Sequence, residues 1–349
     1  INCTTYPNEC INDKLYLEMI DRIANDGYLQ LGYNTVNIDD CWMNKNGRDP
    51  VTNRLVADRT RFPGGIKPIV EYAHKRGVLL GIYEDVGTKT CCSYVGTRNE
   101  TFDFTQIDAR TFSDWKVDSL KLDGCNEPDD VPYNRSYPEY SKALARQSHK
   151  IAFACSWPAY KIGELEEKDY ALIKDNCNYW RNFDDIMDSW SSVQSIIEFY
   201  RKNAPTFAKF HGPGGWFDAD MIIVGNDGLS YEQSKSQMAF WCLWSVPLLM
   251  SNDLRVIKPE FKAILLNRHL IAVNQDPLGV MGHNVVLEGK KQVWVKKLSP
   301  DDASGLNSYA VLYFNDNVLG VPAIVRIHIA FPIAHYFLPS HRCHISCQS

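Results

Sequence analysis

The sequence predicts an α/β fold: a (β/α)8 barrel of the TIM type followed by a small antiparallel β domain. Three observations carry this. Between residue 13 and about residue 276, stretches with helical periodicity alternate with short apolar runs. Nearly every apolar run ends in polar residues at its C-terminal side, where barrel enzymes build their sites. From Met281 onward the texture changes to short alternating runs typical of antiparallel strands. An open doubly wound sheet is the rival fold, and it is weakened by the absence of any G-x-G-x-x-G or phosphate-loop pattern.

In chain order, helical periodicity marks 13–29, 65–76, 103–115, 136–148, 164–176, 188–203, 230–238 and 258–267. Between these lie the apolar runs 33–40, 78–85, 117–123, 151–157, 178–183, 207–212 and 240–249. Strands buried on both faces and separated by helices imply a parallel sheet. A closed barrel needs an eighth strand, and nothing before Cys3 supplies one, so the first strand is expected to be missing at the N-terminus. The runs "NVVLEG", "QVWVKKL", "SYAVLYFN" and "AIVRIHIAF" then predict the second domain, which is expected to be truncated. The division is placed at 1–280 for the barrel and 281–349 for the antiparallel domain.

The bulk properties are those of a globular protein, at 45% hydrophobic and 23% charged residues, which allows a sizeable core. A net charge of −5 without long basic runs argues against nucleic acid or an anionic membrane as partner. The most apolar run, 240–250, is too short to span a bilayer and contains Pro247. Eleven cysteines accompany sequons at Asn2, Asn99 and Asn134, which together suggest an oxidising, secretory-route compartment. No signal peptide is visible at Ile1.

Carboxylates recur at the strand ends: Asp39, Asp40, Asp85, Asp123, Asp184, Asp185, Asp218 and Asp220. A single one reads as a helix cap or loop residue, but their repetition at one end of successive strands does not. Carboxylates accept paired hydrogen bonds from vicinal hydroxyls, and Trp42, Trp157, Trp180 and Trp216 offer flat apolar faces to a sugar ring. Paired acids also suit Mg²⁺ or Ca²⁺, a reading disfavoured by the aromatics beside them, so no metal and no cofactor is expected. There is no H-E-x-x-H or G-x-S-x-G, and the nine histidines lack ligand spacing.

The motifs "NIDDCW", "GIYEDVGTKTC", "LKLDGC", "CSWPAY", "WRNFDDIMDSW", "GPGGWFDAD" and "NQDPLG" resemble, in order and over roughly residues 3 to 282, those of glycoside hydrolase family 27, the α-galactosidases and α-N-acetylgalactosaminidases. The resemblance implies a retaining double displacement, with Asp123 as nucleophile and Asp185 as general acid/base. It implies sugar contacts from Asp39, Asp40, Tyr83, Cys91, Lys121, Ser156, Ala159, Tyr160, Arg181 and Asp220. It further implies disulfides Cys3–Cys10, Cys91–Cys125 and Cys155–Cys177, leaving Cys41, Cys92 and Cys242 unassigned. The strand period of two sends Lys121 and Asp123 to one face, where the ammonium is expected to favour the ionised nucleophile. Gly124 is expected to let the chain turn without crowding the sugar.

In the α-galactosidases of the family, the loop after the fifth strand resembles "CEWPLY". Here Ser156 and Ala159 replace the larger pair, which implies room for a 2-acetamido group and hence terminal α-N-acetylgalactosamine on glycoproteins or glycolipids, with weaker action on α-galactose. Departures also occur: "WFDAD" stands where the family shows "WNDPD", so Phe217 and Ala219 replace a polar residue and a proline beside the sugar site. The alternatives are an α-galactosidase of the same family, or a truncated, non-catalytic sugar-binding remnant. Family likeness implies a lysosomal location and a homodimer.

Overall fold

The computed structural model describes residues 11–127, 131–300 and 308–317. Asn2, the Cys3–Cys10 pair and the run 323–331 lie outside those residues.

Helices and strands alternate: α1 (Asp13–Asn25), β1 (Thr35–Asn37), α2 (Lys67–His74), β2 (Leu79–Asp85), α3 (Thr105–Trp115), β3 (Ser119–Asp123), α4 (Tyr133–Ala145), β4 (Ala152–Cys155), α5 (Glu167–Asn176), β5 (Tyr179–Arg181), α6 (Trp190–Phe207) and β6 (Trp216–Asp218). The six strands pair in sequence order and are parallel throughout. Beyond β6, Ile222 and Met250 form a single parallel bridge. The Ile222 N–H donates to the Leu249 carbonyl at 2.6 Å, and the Ser251 N–H donates to the Ile222 carbonyl at 3.1 Å. This is the larger part of a (β/α) barrel.

Local chemistry sets the helix starts. Asn12 accepts from the Leu15 N–H at 2.8 Å to cap α1, and Ser189 caps α6. On the sheet, Leu80, Leu120, Leu122 and Phe153 are buried, each contributing about 1.5–3 kcal/mol on burial. Gly81 has no alternative: a Cβ there would lie 1.9 Å from Asn37 Oδ1 and 2.3 Å from Ser119 Oγ, which fill the adjoining positions.

Two predicted strands are corrected. Residues 240–243 end α7 (Tyr231–Leu243), which a reciprocal Ser230–Gln233 capping box opens. Phe240, Trp241 and Leu243 are all buried, and a helix apolar on every side shows no stripe to separate it from a buried strand. The run 207–212 is likewise not a strand: α6 continues through Phe207, and the strand starts only at Trp216, after the Gly212–Gly215 turn.

After α8 (Pro259–Leu265) and α9 (Arg268–Asn274) comes an antiparallel sheet of β7 (His283–Glu288), β8 (Lys291–Leu298) and β9 (Ser308–Asn315). It packs on α7 edge-to-face: Phe240 lies 5.3 Å from Trp294 and 5.1 Å from Phe314 between ring centroids. Each such pair adds about 0.5–1.5 kcal/mol beyond its area. Lys296 of β8 is fully buried. Its ammonium donates to Ser245 Oγ at 2.5 Å, to the Cys242 carbonyl at 3.4 Å and to the Val273 carbonyl. These groups lie at the C-terminal ends of α7 and α9, where a cation suits the helix dipoles.

Burial pulls the Lys296 ammonium down to about 8, against the attraction of Asp276. The unfolded chain therefore binds more protons above that value, and folding stability contributed by this group rises with pH. Between about pH 8 and about pH 10, the urea midpoint of the wild type is expected to rise relative to that of Lys296→Met. Parallel curves for the two proteins would contradict this.

Candidate active site

The parallel register lines up the residues that end the strands. Asp85 is the direct neighbour of Asp123. Leu122, Cys155, Trp180 and Phe217 pair in succession across β3 to β6, so the next residues along, Asp123, Ser156, Arg181 and Asp218, form one row at the C-terminal rim. Strands about 4.8 Å apart set the spacing of that row.

Asp123 is buried and both its oxygens are occupied by donors. The Tyr83 hydroxyl donates to Oδ2 at 3.0 Å, the Tyr160 hydroxyl to Oδ1 at 2.8 Å and the Gly124 N–H to Oδ1 at 3.0 Å. Cys91 and Cys125 form a disulfide, and the Cys91 sulfur lies 3.4 Å from Asp123 Oδ2. Cys155 and Cys177 form a second disulfide that ties the end of β4 to the start of the next unit. Gly124 is needed for its neighbours: a Cβ there would lie 3.0 Å from the Tyr160 ring and 3.1 Å from the Tyr133 ring. Tyr133 in turn donates to the Gly124 carbonyl at 2.6 Å.

Lys121 faces the same side as Asp123 but bonds elsewhere, donating to Asp39 Oδ2 at 2.8 Å. Its hydrogen bond thus goes to Asp39 at the end of β1, while its charge also acts on Asp123. Burial works against the Lys121 charge, and Asp39 and Asp123 outweigh it, so the ammonium is held above its ordinary value. For Asp39, burial opposes ionisation and Lys121 more than compensates, which keeps the carboxylate below its ordinary range. Asp40 is buried, accepting from the Cys41 N–H at 2.5 Å and the Cys92 N–H at 2.9 Å.

The second cation is Arg181, at the end of β5. One guanidinium nitrogen lies 2.8 Å from Asp185 Oδ1 and 3.1 Å from Asp220 Oδ2. The two carboxylates differ in setting: the Asp185 side chain is 87% exposed and the Asp220 side chain 8%. Asp220 also accepts from the Ile186 N–H at 2.7 Å, which fixes the loop carrying Asp185.

A cavity of about 540 Å³ takes in three of the row, Ser156, Arg181 and Asp218, but not Asp123. Asp39, Lys121, Ser156, Arg181, Asp218 and Asp220 line its polar end, and Tyr16, Val36 and Leu248 are among its apolar walls. Its size and its few converging polar groups suit a small ligand. Asp40, Tyr83, Cys91, Ala159, Tyr160 and Asp185 are not among the lining residues; Ala159 sits one turn past Ser156, its N–H bonded to the Ser156 carbonyl at 3.0 Å. Trp42, Trp157 and Trp180, expected to face a sugar, are buried in the core instead. Trp42 donates to the Tyr83 carbonyl at 2.9 Å, Trp157 stacks on Tyr137, and Trp180 packs edge-on to Phe217. Among these tryptophans only Trp216 stays partly accessible. Asn99 and Asn134 are both exposed.

Two of the strand-end carboxylates that the resemblance gave no role also belong to the site. Asp218 lines the cavity, and burial raises it to about 6 despite the attraction of Arg181. Asp85 accepts from the Cys125 N–H at 2.8 Å and the Gly87 N–H at 2.7 Å, so it positions the loop after Asp123. Burial raises it to about 7. Alternation along β2 is the signal that finds it, since Tyr83 and Asp85 share a face.

A barrel rim of carboxylates spaced by two cations, around one aspartate held by tyrosines, is an arrangement of the kind glycoside hydrolases use. Comparisons with known proteins place it further. The Melibiase_2 family model, described as alpha galactosidase A, matches residues 1–276. The chain is 49% identical to an α-N-acetylgalactosaminidase of Gallus gallus over 86% of its own length and 73% of the relative's. It is 42% identical to α-galactosidase A of Homo sapiens over 95% of its own length and 74% of the relative's. Among solved structures, a putative α-galactosidase from Bacteroides fragilis superposes with a TM-score of 0.76 at 34% identity, covering 87% of this chain and 64% of that one. The chain therefore spans under two thirds of that structure's length and about three quarters of the two curated relatives'. It belongs to the alpha galactosidase A family of glycoside hydrolases, glycoside hydrolase family 27.

For Asp85 and Asp218, the folded state holds protons that the unfolded chain has already released between about pH 4 and about pH 7. Their contribution to stability is fully present below that window and lost as pH rises through it. The melting temperature is accordingly expected to be higher near pH 5 than near pH 8. Asp85→Asn keeps only one acceptor for two N–H groups, so it is expected to cost about 1–3 kcal/mol and to flatten this pH dependence. A variant that melts with unchanged pH dependence would show that Asp85 has no such part.

Proposed function

We propose that this chain is a retaining exo-glycosidase that removes terminal α-N-acetylgalactosamine, and more slowly α-galactose, from glycoconjugates. The observation that carries the proposal is the rim row, in which Asp123 is held by Tyr83 and Tyr160 beside Ser156. In the first step an Asp123 oxygen attacks the anomeric carbon, the glycosidic C–O bond breaks, and Asp185 gives its proton to the departing oxygen. In the second, Asp185 takes a proton from water, the hydroxide adds to the anomeric carbon, and the ester to Asp123 is released. Retention requires the two carboxyl groups to meet the sugar at a separation of roughly 5–5.5 Å.

Several features support the substrate choice. Ser156 is small, buried and in the cavity wall, next along the rim from Asp123. Relatives named α-N-acetylgalactosaminidase match over most of the chain. Asp39, Asp40, Tyr83, Cys91, Lys121, Tyr160, Arg181 and Asp220 are assigned to hold the sugar, and Ala159 to leave room beyond it. The catalytic unit is taken as 1–280 and the antiparallel unit as 281–349. Sequons and disulfides favour the secretory route, family likeness favours the lysosome and a homodimer, and the buried carboxylates favour an acidic compartment. Among the described residues no helix is long and apolar enough to cross a membrane.

Two measurements test the reading. Asp185→Asn is expected to lower kcat by about 10²–10⁴-fold, and Asp123→Asn to abolish labelling by a fluorinated α-N-acetylgalactosamine analogue at that position. Full turnover by either folded variant would refute the mechanism. On nitrophenyl glycosides, kcat/KM is expected to favour α-N-acetylgalactosamine, and the pair Ser156→Glu with Ala159→Leu to shift preference toward α-galactose by about 10-fold or more. A wild type that prefers plain galactose would refute the specificity.

A further inference from the structure

The loop after β2 ends in a short hairpin that carries the sequon Asn99-Glu100-Thr101. At its base Arg98 and Asp103 form an antiparallel bridge, and the Arg98 guanidinium binds Asp103 at 2.8 Å and Glu139 of α4 at 3.2 Å. At its tip the Asn99 N–H donates to the Phe102 carbonyl at 3.0 Å. The Asn99 side-chain oxygen accepts from the Phe102 N–H at 2.8 Å, the Thr101 N–H at 3.0 Å and the Thr101 hydroxyl at 3.2 Å. Two backbone N–H groups directed at one side-chain atom require that atom to be the amide oxygen, so the amide nitrogen is the end turned away from the hairpin. Among the described residues no hydrogen bond uses that nitrogen. Asn99, Glu100 and Thr101 are all exposed, and beside them the Phe102 side chain is 49% exposed, its ring 4.7 Å from that of the buried Phe104. The sequon at Asn134 is built differently: it lies in the first turn of α4, and its hydroxyl residue, Ser136, is buried and donates to the Pro132 carbonyl at 3.3 Å.

We propose that Asn99 is an N-glycosylation site whose first N-acetylglucosamine lies over the exposed ring of Phe102. The donor is a lipid-linked oligosaccharide pyrophosphate. The Asn99 amide nitrogen forms a bond to C1 of the donor's first sugar and gives up one proton. The bond from C1 to the pyrophosphate oxygen breaks, and its electron pair leaves with the lipid pyrophosphate. A bulky glycan suits only a surface amide, and here the nitrogen that carries it is the end facing solvent. The amide oxygen is not consumed, so the three hydrogen bonds that shape the tip persist after the transfer. Pairing across the hairpin sets Phe102 beside Asn99, where the apolar face of a sugar ring removes aromatic surface from water. The link from Arg98 to Glu139 fastens this platform to α4, so the sugar meets a fixed surface. The inference rests on the secretory-route part of the proposed function and not on its reaction or its sugar specificity.

The test is to secrete the full chain from a eukaryotic host behind a cleavable leader, with the oxidised Cys155–Cys177 bond as the sign that it has passed through the lumen. Digestion with a peptide N-glycosidase in heavy-oxygen water is expected to convert Asn99 to a labelled aspartate, and Thr101→Ala to lose that label. An Asn99 without label in chains that hold the Cys155–Cys177 bond overturns the proposal. Trimming the glycan to its first sugar is expected to leave the melting temperature unchanged, and removing that sugar to lower it by about 2 °C, with a smaller loss in Phe102→Ser. Equal losses in the two proteins overturn the contact with Phe102. The label is read without any glycosidase assay and the leader supplies entry to the lumen, so a failure here is told apart from a failure of the proposed reaction or location.

Discussion

Like charges crowded at one end of a buried sheet repel, and here Lys121 and Arg181 are what allow the carboxylates to stay together. Lys121 bonds Asp39 and acts on Asp123 through space, while Arg181 gathers Asp185 and Asp220 and acts on Asp218. Burial disfavours the charges of Lys121, Asp39, Arg181 and Asp218, and for the first three their partners outweigh it. Removing one partner of such a buried pair typically costs about 3–5 kcal/mol, because an unpaired charge stays behind. For Asp85 and Asp218 burial outweighs the compensation, the attraction of Arg181 on Asp218 included, and lifts both toward neutrality.

The rim is held from behind by a scaffold that never touches the cavity. Tyr133 and Tyr137 of α4 donate to the Gly124 and Leu122 carbonyls at the end of β3, so a helix fixes the backbone on either side of Asp123. On the outer face of β2, Arg48 binds both oxygens of Asp108 and the Gly96 carbonyl, with Phe104 stacked beneath it. This buried contact joins the long loop after β1 to the loop after β2. Those two loops carry Asp39, Asp40 and Cys91, so their relative position is set by a pair remote from the site.

Most of this architecture is legible in the sequence, for definable reasons. Strand ends announce themselves because apolar runs stop at acids, and parity along β2 and β3 puts Tyr83, Asp85, Lys121 and Asp123 on one face. What misleads is burial on all sides. Phe240 to Leu243 read as strand because a fully enclosed helix loses its amphipathic signature, and Trp42, Trp157 and Trp180 read as sugar platforms because composition does not reveal which way a ring points. The partner of Lys121 was equally illegible. Spacing within β3 places it beside Asp123, whereas the pairing is decided by Asp39, which arrives from a strand two positions across the sheet.

The way Arg181 is shared has one more consequence. Its guanidinium is gripped from the protein side by the enclosed Asp220, which is itself fastened to the Ile186 N–H, and only from the solvent side by Asp185. Loss of the outer contact would therefore leave the arginine held and the chain behind it fixed. The guanidinium is anchored on its inner half, and its outer half faces solvent.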